Sequence, residues 1–233
     1  MTAKHPKLIL FDIDGTLMRT AGIGRESMER AFKKIFGLRN GFDKIHMMGR
    51  TDPSILKEAM VNSDIKWNKK LADRFKESYC DYFIEGIQIP RHGKYLCTGV
   101  RELLEFLSED ANFIVGLLTG NWRETAEIKL EYFGIDHFFQ IGAFADDSEI
   151  RDELLPFALQ RAKEKTGLEI PPSQTWIVGD TPLDVQCAEP HSAKTLAVAT
   201  GFHSKEDLEK ANPDVVLENL ENTSEIVKIF STK

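Results

Sequence analysis

No stretch of this 233-residue chain stays apolar long enough to cross a bilayer, no block of basic residues stands out, and cysteine occurs three times. Each shortage excludes something. Without an apolar run of about 20 residues, a membrane-spanning helix is not expected. The N-terminal apolar run is also too short for a signal peptide, so a cytoplasmic location is expected. A formal charge of −7 and a pI near 5.5, with no concentrated basic patch, disfavour nucleic acid as a partner. Cys80, Cys97 and Cys187 are odd in number, widely spaced and in no Cys-x-x-Cys pair. That pattern argues against a disulfide framework or a structural zinc site and suits packing residues. Internal repeats and low-complexity segments are lacking too. What is present is ordinary for a folded globular chain: 42% apolar and 29% charged residues. The length suits one core domain carrying a smaller insertion.

Five short runs rich in Val, Ile, Leu and Phe punctuate the chain: LILF, FIVGLL, TWIVG, TLAVAT and DVVL. Continuous apolar runs of this length read as strands buried on both faces of a parallel sheet. Helical patterns separate the later ones, with Val100, Leu103, Leu104 and Leu107 before FIVGLL and Leu154, Leu155, Ala158, Leu159 and Ala162 before TWIVG. Alternating strand and helix predict an α/β fold with a doubly wound, Rossmann-like parallel sheet. The interval after the first strand is different, for about 75 residues show helical periodicity and no convincing strand. Met28, Ala31, Phe32, Ile35 and Phe36 share one helix face; Ile55, Leu56, Ala59 and Met60 follow Pro53; Leu71, Phe75, Tyr79, Tyr82 and Phe83 continue the pattern. A helical insertion over residues 18–92, set into a core of residues 1–17 and 93–233, is the expected organisation. Its exit, IPRHGKYLCTG, would suit a hinge. Near the C-terminus, Ser204 to Asp207 resembles a capping box opening a short helix.

In an open α/β sheet, ligands bind beyond the carboxyl ends of the strands. Collecting the residues that follow each apolar run gives Asp12 and Asp14, then Thr119, Gly120 and Asn121, then Asp180, Thr181 and Asp184. Four carboxylates converging on one crevice would raise each other's pKa unless a divalent cation neutralised them. Oxygen ligands favour Mg²⁺, which typically takes a few carboxylates together with substrate phosphate. Asp12 and Asp14 alternate along the chain, so one could attack while the other moves protons. Taken singly, DxD at a strand end could be a cap, TGN a turn, and GDTPLD a turn before a helix N-terminus. Three such signals in order, each behind its own strand, make the combined reading the stronger one.

FDIDGTL, LLTGN and VGDTPLD together resemble the haloacid dehalogenase-like superfamily of phosphohydrolases, and the helical insertion looks like that family's helical cap. The resemblance spans about Lys7 to Leu220 and is nearest to phosphoglycolate phosphatases. It implies that Asp12 is the nucleophile and a Mg²⁺ ligand. Asp14 would be the acid and base, offering its backbone carbonyl to the metal. Thr119 would hold the phosphoryl group with the Gly120 and Asn121 amides, and Asp180 and Asp184 would complete the metal site. The family's usual lysine before a helix is missing; Arg151 is the best-placed cation, preferred over Lys163, which falls deep in a helix. Guanidinium is planar and larger than ammonium, so the exchange is not neutral.

Arg50 and Asp52 in GRTD precede a helix, where capping by Asp52 and contact of Arg50 with substrate are both open. Arg19, Arg25, Arg91, His92 and Lys94 could meet an anionic substrate or simply face solvent. His191 suits packing or surface, and Trp122 could shape the pocket. The expected activity is Mg²⁺-dependent hydrolysis of a small phosphomonoester through an aspartyl-phosphate, by a monomer or homodimer without nucleic-acid or membrane partners. Rival readings are a hexose phosphate mutase, a non-catalytic Mg²⁺ and phosphate-binding scaffold and, more weakly, a dehalogenase, a phosphonate hydrolase or a receiver-like domain.

Overall fold

The computed structural model describes residues 6–232. In chain order its elements are strand β1 (Lys7–Phe11), strand β2 (Met18–Thr20), helices α1 (Ile23–Phe36), α2 (Asp52–Asn62) and α3 (Lys69–Gln88), and strand β3 (Lys94–Leu96). There follow α4 (Val100–Glu109), β4 (Phe113–Leu118), α5 (Arg123–Phe133), β5 (Gly142–Ala143), α6 (Leu154–Thr166), β6 (Thr175–Gly179) and α7 (Pro182–Gln186). The chain ends with β7 (Lys194–Val198), α8 (Lys205–Glu209), β8 (Val215–Leu217) and α9 (Thr223–Phe230).

Six strands form one sheet in the order β5-β4-β1-β6-β7-β8, every neighbouring pair parallel. The period of two along β1 divides the core. Ile9 and Phe11 face one layer with Leu103, Leu104 and Leu107 of α4 and Ile226 and Phe230 of α9; Leu8 and Leu10 face the other with Leu154, Leu155, Ala158 and Ala162 of α6. Helices therefore cover both faces, as the near-continuous apolar strands require. From β1 the chain runs outward through β4 and β5, then returns to β6 on the opposite side, so the sheet reverses at β1 and β6. That reversal opens a crevice at the carboxyl ends of those strands.

The three helices α1, α2 and α3 bury a separate apolar cluster around Phe32, Phe42, Phe75 and Phe83, joined by Trp122 and Ala145 from the sheet side. Phe75 is its hub, with ring centroids 6.2 Å from Trp122 and 6.3 Å from Phe32. Gly37 ends α1 in the left-handed conformation with φ 73°, as its position after the last apolar residue predicts. The expectation of an insertion without strands needs correction. Met18–Thr20 pairs antiparallel with Lys94–Leu96, so the two chain crossings into and out of the helical segment are hydrogen-bonded to each other. At the C-terminal end, the Ser204 side chain accepts from the Asp207 amide and opens α8.

Candidate active site

The strand ends deliver the acidic residues. Asp12 follows β1 directly and its amide donates to the Val178 carbonyl of β6 at 2.9 Å, continuing the sheet by one residue. Ile13 turns into the core, and Gly15 reverses the chain at φ +90°. A β-carbon at Gly15 would strike the Asp180 carboxylate, so this turn needs glycine for space as well as for its backbone angle. Asp180 follows β6, and Thr181 caps α7 in a reciprocal box with Asp184. The Asp184 carboxylate accepts from the Thr181 amide at 2.9 Å and from its hydroxyl at 2.7 Å. This cap fixes one carboxylate oxygen of Asp184 and leaves the other for the crevice.

Asp12, Asp180 and Asp184 are all buried and offer oxygens that lie within 4.8 Å of one another. The charges of Asp12 and Asp180 are disfavoured. Burial pushes the Asp12 carboxyl up to about 6, with Asp184 and Asp14 adding to the rise while Arg151 and the Thr119 hydroxyl oppose it. Burial likewise holds Asp180 well above the ordinary carboxylate range, reinforced by Asp184 and Asp12. A trio of buried carboxylates, oxygen donors throughout, with the ionisation of Asp12 and Asp180 opposed by burial and by neighbouring carboxylates, fits a hard divalent cation such as Mg²⁺.

Arg151 crosses this cluster. Its Nη2 lies 3.2 Å from Asp12 Oδ1 and donates to Asp184, while Nη1 donates to the Gly49 carbonyl at 2.8 Å. Burial works against the guanidinium's charge, but Asp184 and then Asp12 outweigh it and push its pKa further up. Its Nε is one of two buried side-chain donors without a hydrogen-bond partner among the described residues. Lys163, the alternative cation, is half exposed on α6 and paired with Glu169.

Thr119 follows β4, its amide donating to Ala143 at 3.1 Å, and the Asn121 amide donates to the Thr119 hydroxyl at 3.3 Å. Gly120 has a specific reason for lacking a side chain, because a β-carbon there would run into the Arg50 carbonyl. Segment 49–52 is docked on this turn. The Asp52 amide donates to the Gly120 carbonyl at 2.7 Å, the Asp52 carboxylate accepts from the Trp122 amide at 2.8 Å, and the Thr51 hydroxyl donates to the Glu149 carbonyl at 2.6 Å. Asp52 therefore does not cap its own helix; Thr51 holds the cap position, and the carboxylate reaches across to α5. Burial pushes Asp52 up to about 7, against the pull of Lys129 and the Trp122 amide.

Lys129 is the residue the sequence reading missed. Its side chain is 2% exposed, pairs with Asp14 and donates to the Asn121 side-chain oxygen at 2.8 Å. The available signal was its place on α5, where it shares the buried stripe of Ala126 and Leu130. Asp14, 43% exposed at its side chain, turns towards Lys129 and stands outside the trio of Asp12, Asp180 and Asp184.

The other candidates scatter. Arg50 lines the crevice but pairs with Glu58. Arg19 donates to the Thr200 carbonyl at 3.1 Å, and Arg25 to those of Phe42 and Ile45 at 2.9 Å each. Arg91 pairs with Glu26, and Lys94 donates to the Ile87 and Ile89 carbonyls. His92 lines the crevice, whereas a His191 ring nitrogen meets the Asp152 carbonyl at 2.7 Å. Cys80, Cys97 and Cys187 are buried, free thiols. No helix among the described residues is long and apolar enough to cross a membrane.

Fold and site together define an α/β protein with a buried, oxygen-lined acidic cluster at the switch point of a parallel sheet. The family model described as haloacid dehalogenase-like hydrolase matches residues 9–198, and the chain belongs to that family. Among curated proteins it is 26% identical to "Pyrophosphatase PpaX" of Oceanobacillus iheyensis over 227 residues, covering 95% of this chain and 96% of that one. It is 24% identical to "Phosphoglycolate phosphatase" of Vibrio vulnificus over 235 residues, covering 98% and 99%. Among solved structures, "a predicted phosphoglycolate phosphatase" from Haemophilus somnus shares the fold with a TM-score of 0.70 at 21% identity. That match covers 97% of this chain and all of the other.

Proposed function

We propose that this chain is a Mg²⁺-dependent phosphatase that hydrolyses a small phosphomonoester through an aspartyl-phosphate on Asp12. The observation that carries the reading is the joint placement of Asp12, Asp180 and Asp184 with Arg151 at the sheet's reversal. The names of the phosphatase and pyrophosphatase relatives support it. Asp12, Asp180 and Asp184, with the Asp14 backbone carbonyl, would hold Mg²⁺, which when bound neutralises the carboxylates and the phosphoryl oxygens.

Asp12 attacks phosphorus in line, and the bond from phosphorus to the ester oxygen breaks as Asp14 gives its proton to the departing alkoxide. Asp14 then takes a proton from water, whose oxygen displaces Asp12 and releases phosphate. Arg151 orients Asp12 and stabilises equatorial charge, and Thr119 with the Gly120 and Asn121 amides cradles the other oxygens. Lys129 stands against Asp14, suited to hold that carboxylate's rotamer. Residues 18–92 act as a cap on the core of 1–17 and 93–233, with Arg50 and Asp52 on the segment that meets the phosphate turn. A cytoplasmic monomer or homodimer completes the reading.

Purified protein incubated with a panel of phosphometabolites, with Mg²⁺ and with EDTA, tests it. Phosphate release that needs Mg²⁺ and disappears in Asp12→Asn supports the reading, and an inactive wild type would remove it. Product analysis with hexose phosphates and a bisphosphate activator separates hydrolysis from the mutase alternative.

A further inference from the structure

The crevice opens into a cavity of about 720 Å³ between the strand ends and the three inserted helices. Pockets of roughly 300–1,000 Å³ enclose drug-sized ligands, so a phosphoryl group with a two-carbon acid leaves most of this space unfilled. Beyond the carboxylates the wall is made by Met28, Ile45, Met47, Met48, Ile55 and Tyr79. Methionine's unbranched thioether chain adapts to irregular apolar shapes, which suits a wall that meets a ligand's hydrocarbon part.

The arginines on that wall already donate to protein oxygens. Arg25 donates to two backbone carbonyls and lies 3.6 Å from Glu29. Arg50 pairs with Glu58 and donates to the Ser54 carbonyl at 3.2 Å. Arg19 holds the Thr200 carbonyl and lies 4.5 Å over the Phe202 ring. Lys129 and Arg151 serve carboxylates at the catalytic end. A second anion on the leaving group would compete with these protein oxygens for the same donors. His46 and His92, exposed on the wall, offer ring nitrogens for a single polar group.

We infer that the substrate is the phosphomonoester of a bulky, uncharged, largely apolar alcohol, and that neither a glycolate-sized acid nor inorganic phosphate is the preferred leaving group. The inference rests on the phosphatase reading and adds the identity of the leaving group. A series of n-alkyl phosphates from ethyl to hexyl, assayed with Mg²⁺ beside 2-phosphoglycolate and pyrophosphate, tests it, because leaving-group reactivity hardly changes along the series. The expected result is a rise in kcat/KM of up to about fourfold per methylene, with the hexyl ester above both anionic substrates. Met47→Lys is expected to flatten that slope and improve 2-phosphoglycolate; Met28→Ala should flatten the slope alone. A slope of one, or preference for 2-phosphoglycolate or pyrophosphate while the esters are still hydrolysed, overturns this inference and leaves the phosphatase reading standing. Phosphate release from none of the compounds sinks both.

Discussion

At the sheet end of the cavity three buried carboxylates crowd within 4.8 Å, and at the helical end Met28, Ile45 and Met47 line a wall whose arginines are tied to protein oxygens. The first region holds crowded carboxylates whose repulsion a bound cation relieves; the second holds its arginines on protein oxygens and offers apolar area. Rate should therefore depend on the sheet end and selectivity on the helical end. Changes on one side ought to move kcat and changes on the other KM, a division that mutagenesis can break.

The largest effect is expected from Asp12→Asn, which keeps the shape of the side chain and removes the attacking charge. Turnover should fall by about 10⁴-fold or more in a phosphate-release assay, with the circular-dichroism spectrum unchanged. Next comes Arg151→Met, which strands Asp12 and Asp184 as uncompensated neighbours. A loss of about 3–5 kcal/mol in denaturant unfolding is expected, with at least about 10²-fold in kcat. A raised KM with kcat and stability intact would show that the guanidinium binds substrate only.

Asp52→Asn probes the seam between the two regions. Burial raises the Asp52 carboxyl from its ordinary 3.8 to about 7, so the folded chain binds its proton more tightly than the unfolded one. Its contribution to stability is whole below about pH 4 and is lost as pH rises through 7. The asparagine variant keeps an acceptor for the Trp122 amide without the charge. Relative to it, wild type should lose on the order of a few kcal/mol between pH 4 and 7.5 in parallel unfolding titrations. A pH-independent difference would mean that Asp52 is ionised at low cost. The smallest effect is expected from Gly120→Ala. Its β-carbon would press on the Arg50 carbonyl and push segment 49–52 away, raising KM several-fold with little change in kcat.

Much of the sheet end is legible in the chain because parallel strands write continuous apolar runs and the crevice residues follow them directly, as Asp12 follows LILF and Asp180 follows TWIVG. The helical segment is legible from the spacing of Met28, Phe32, Ile35 and Phe36. Strands β2 and β3 escape notice because three residues are too few to display a period of two. Strand β5 has only two residues. Lys129 escapes because a lysine on an apolar stripe reads as a stem lying across the surface. Its ammonium instead meets Asp14, 115 residues away along the chain. Asp52 stays open for a related reason: a helix start explains an aspartate locally, while its actual partner is the Trp122 amide 70 residues on. Contacts of that range exist only once distant segments of the chain are folded together.

The central claim is that Asp12 carries the phosphoryl group between two displacements. Hydrolysis of a phosphorothioate ester made chiral at phosphorus by isotopic oxygen, in isotopically labelled water, reads the stereochemical course directly. Two in-line steps through Asp12 predict net retention of configuration. Net inversion would mean that water attacks the ester itself, and would contradict the account.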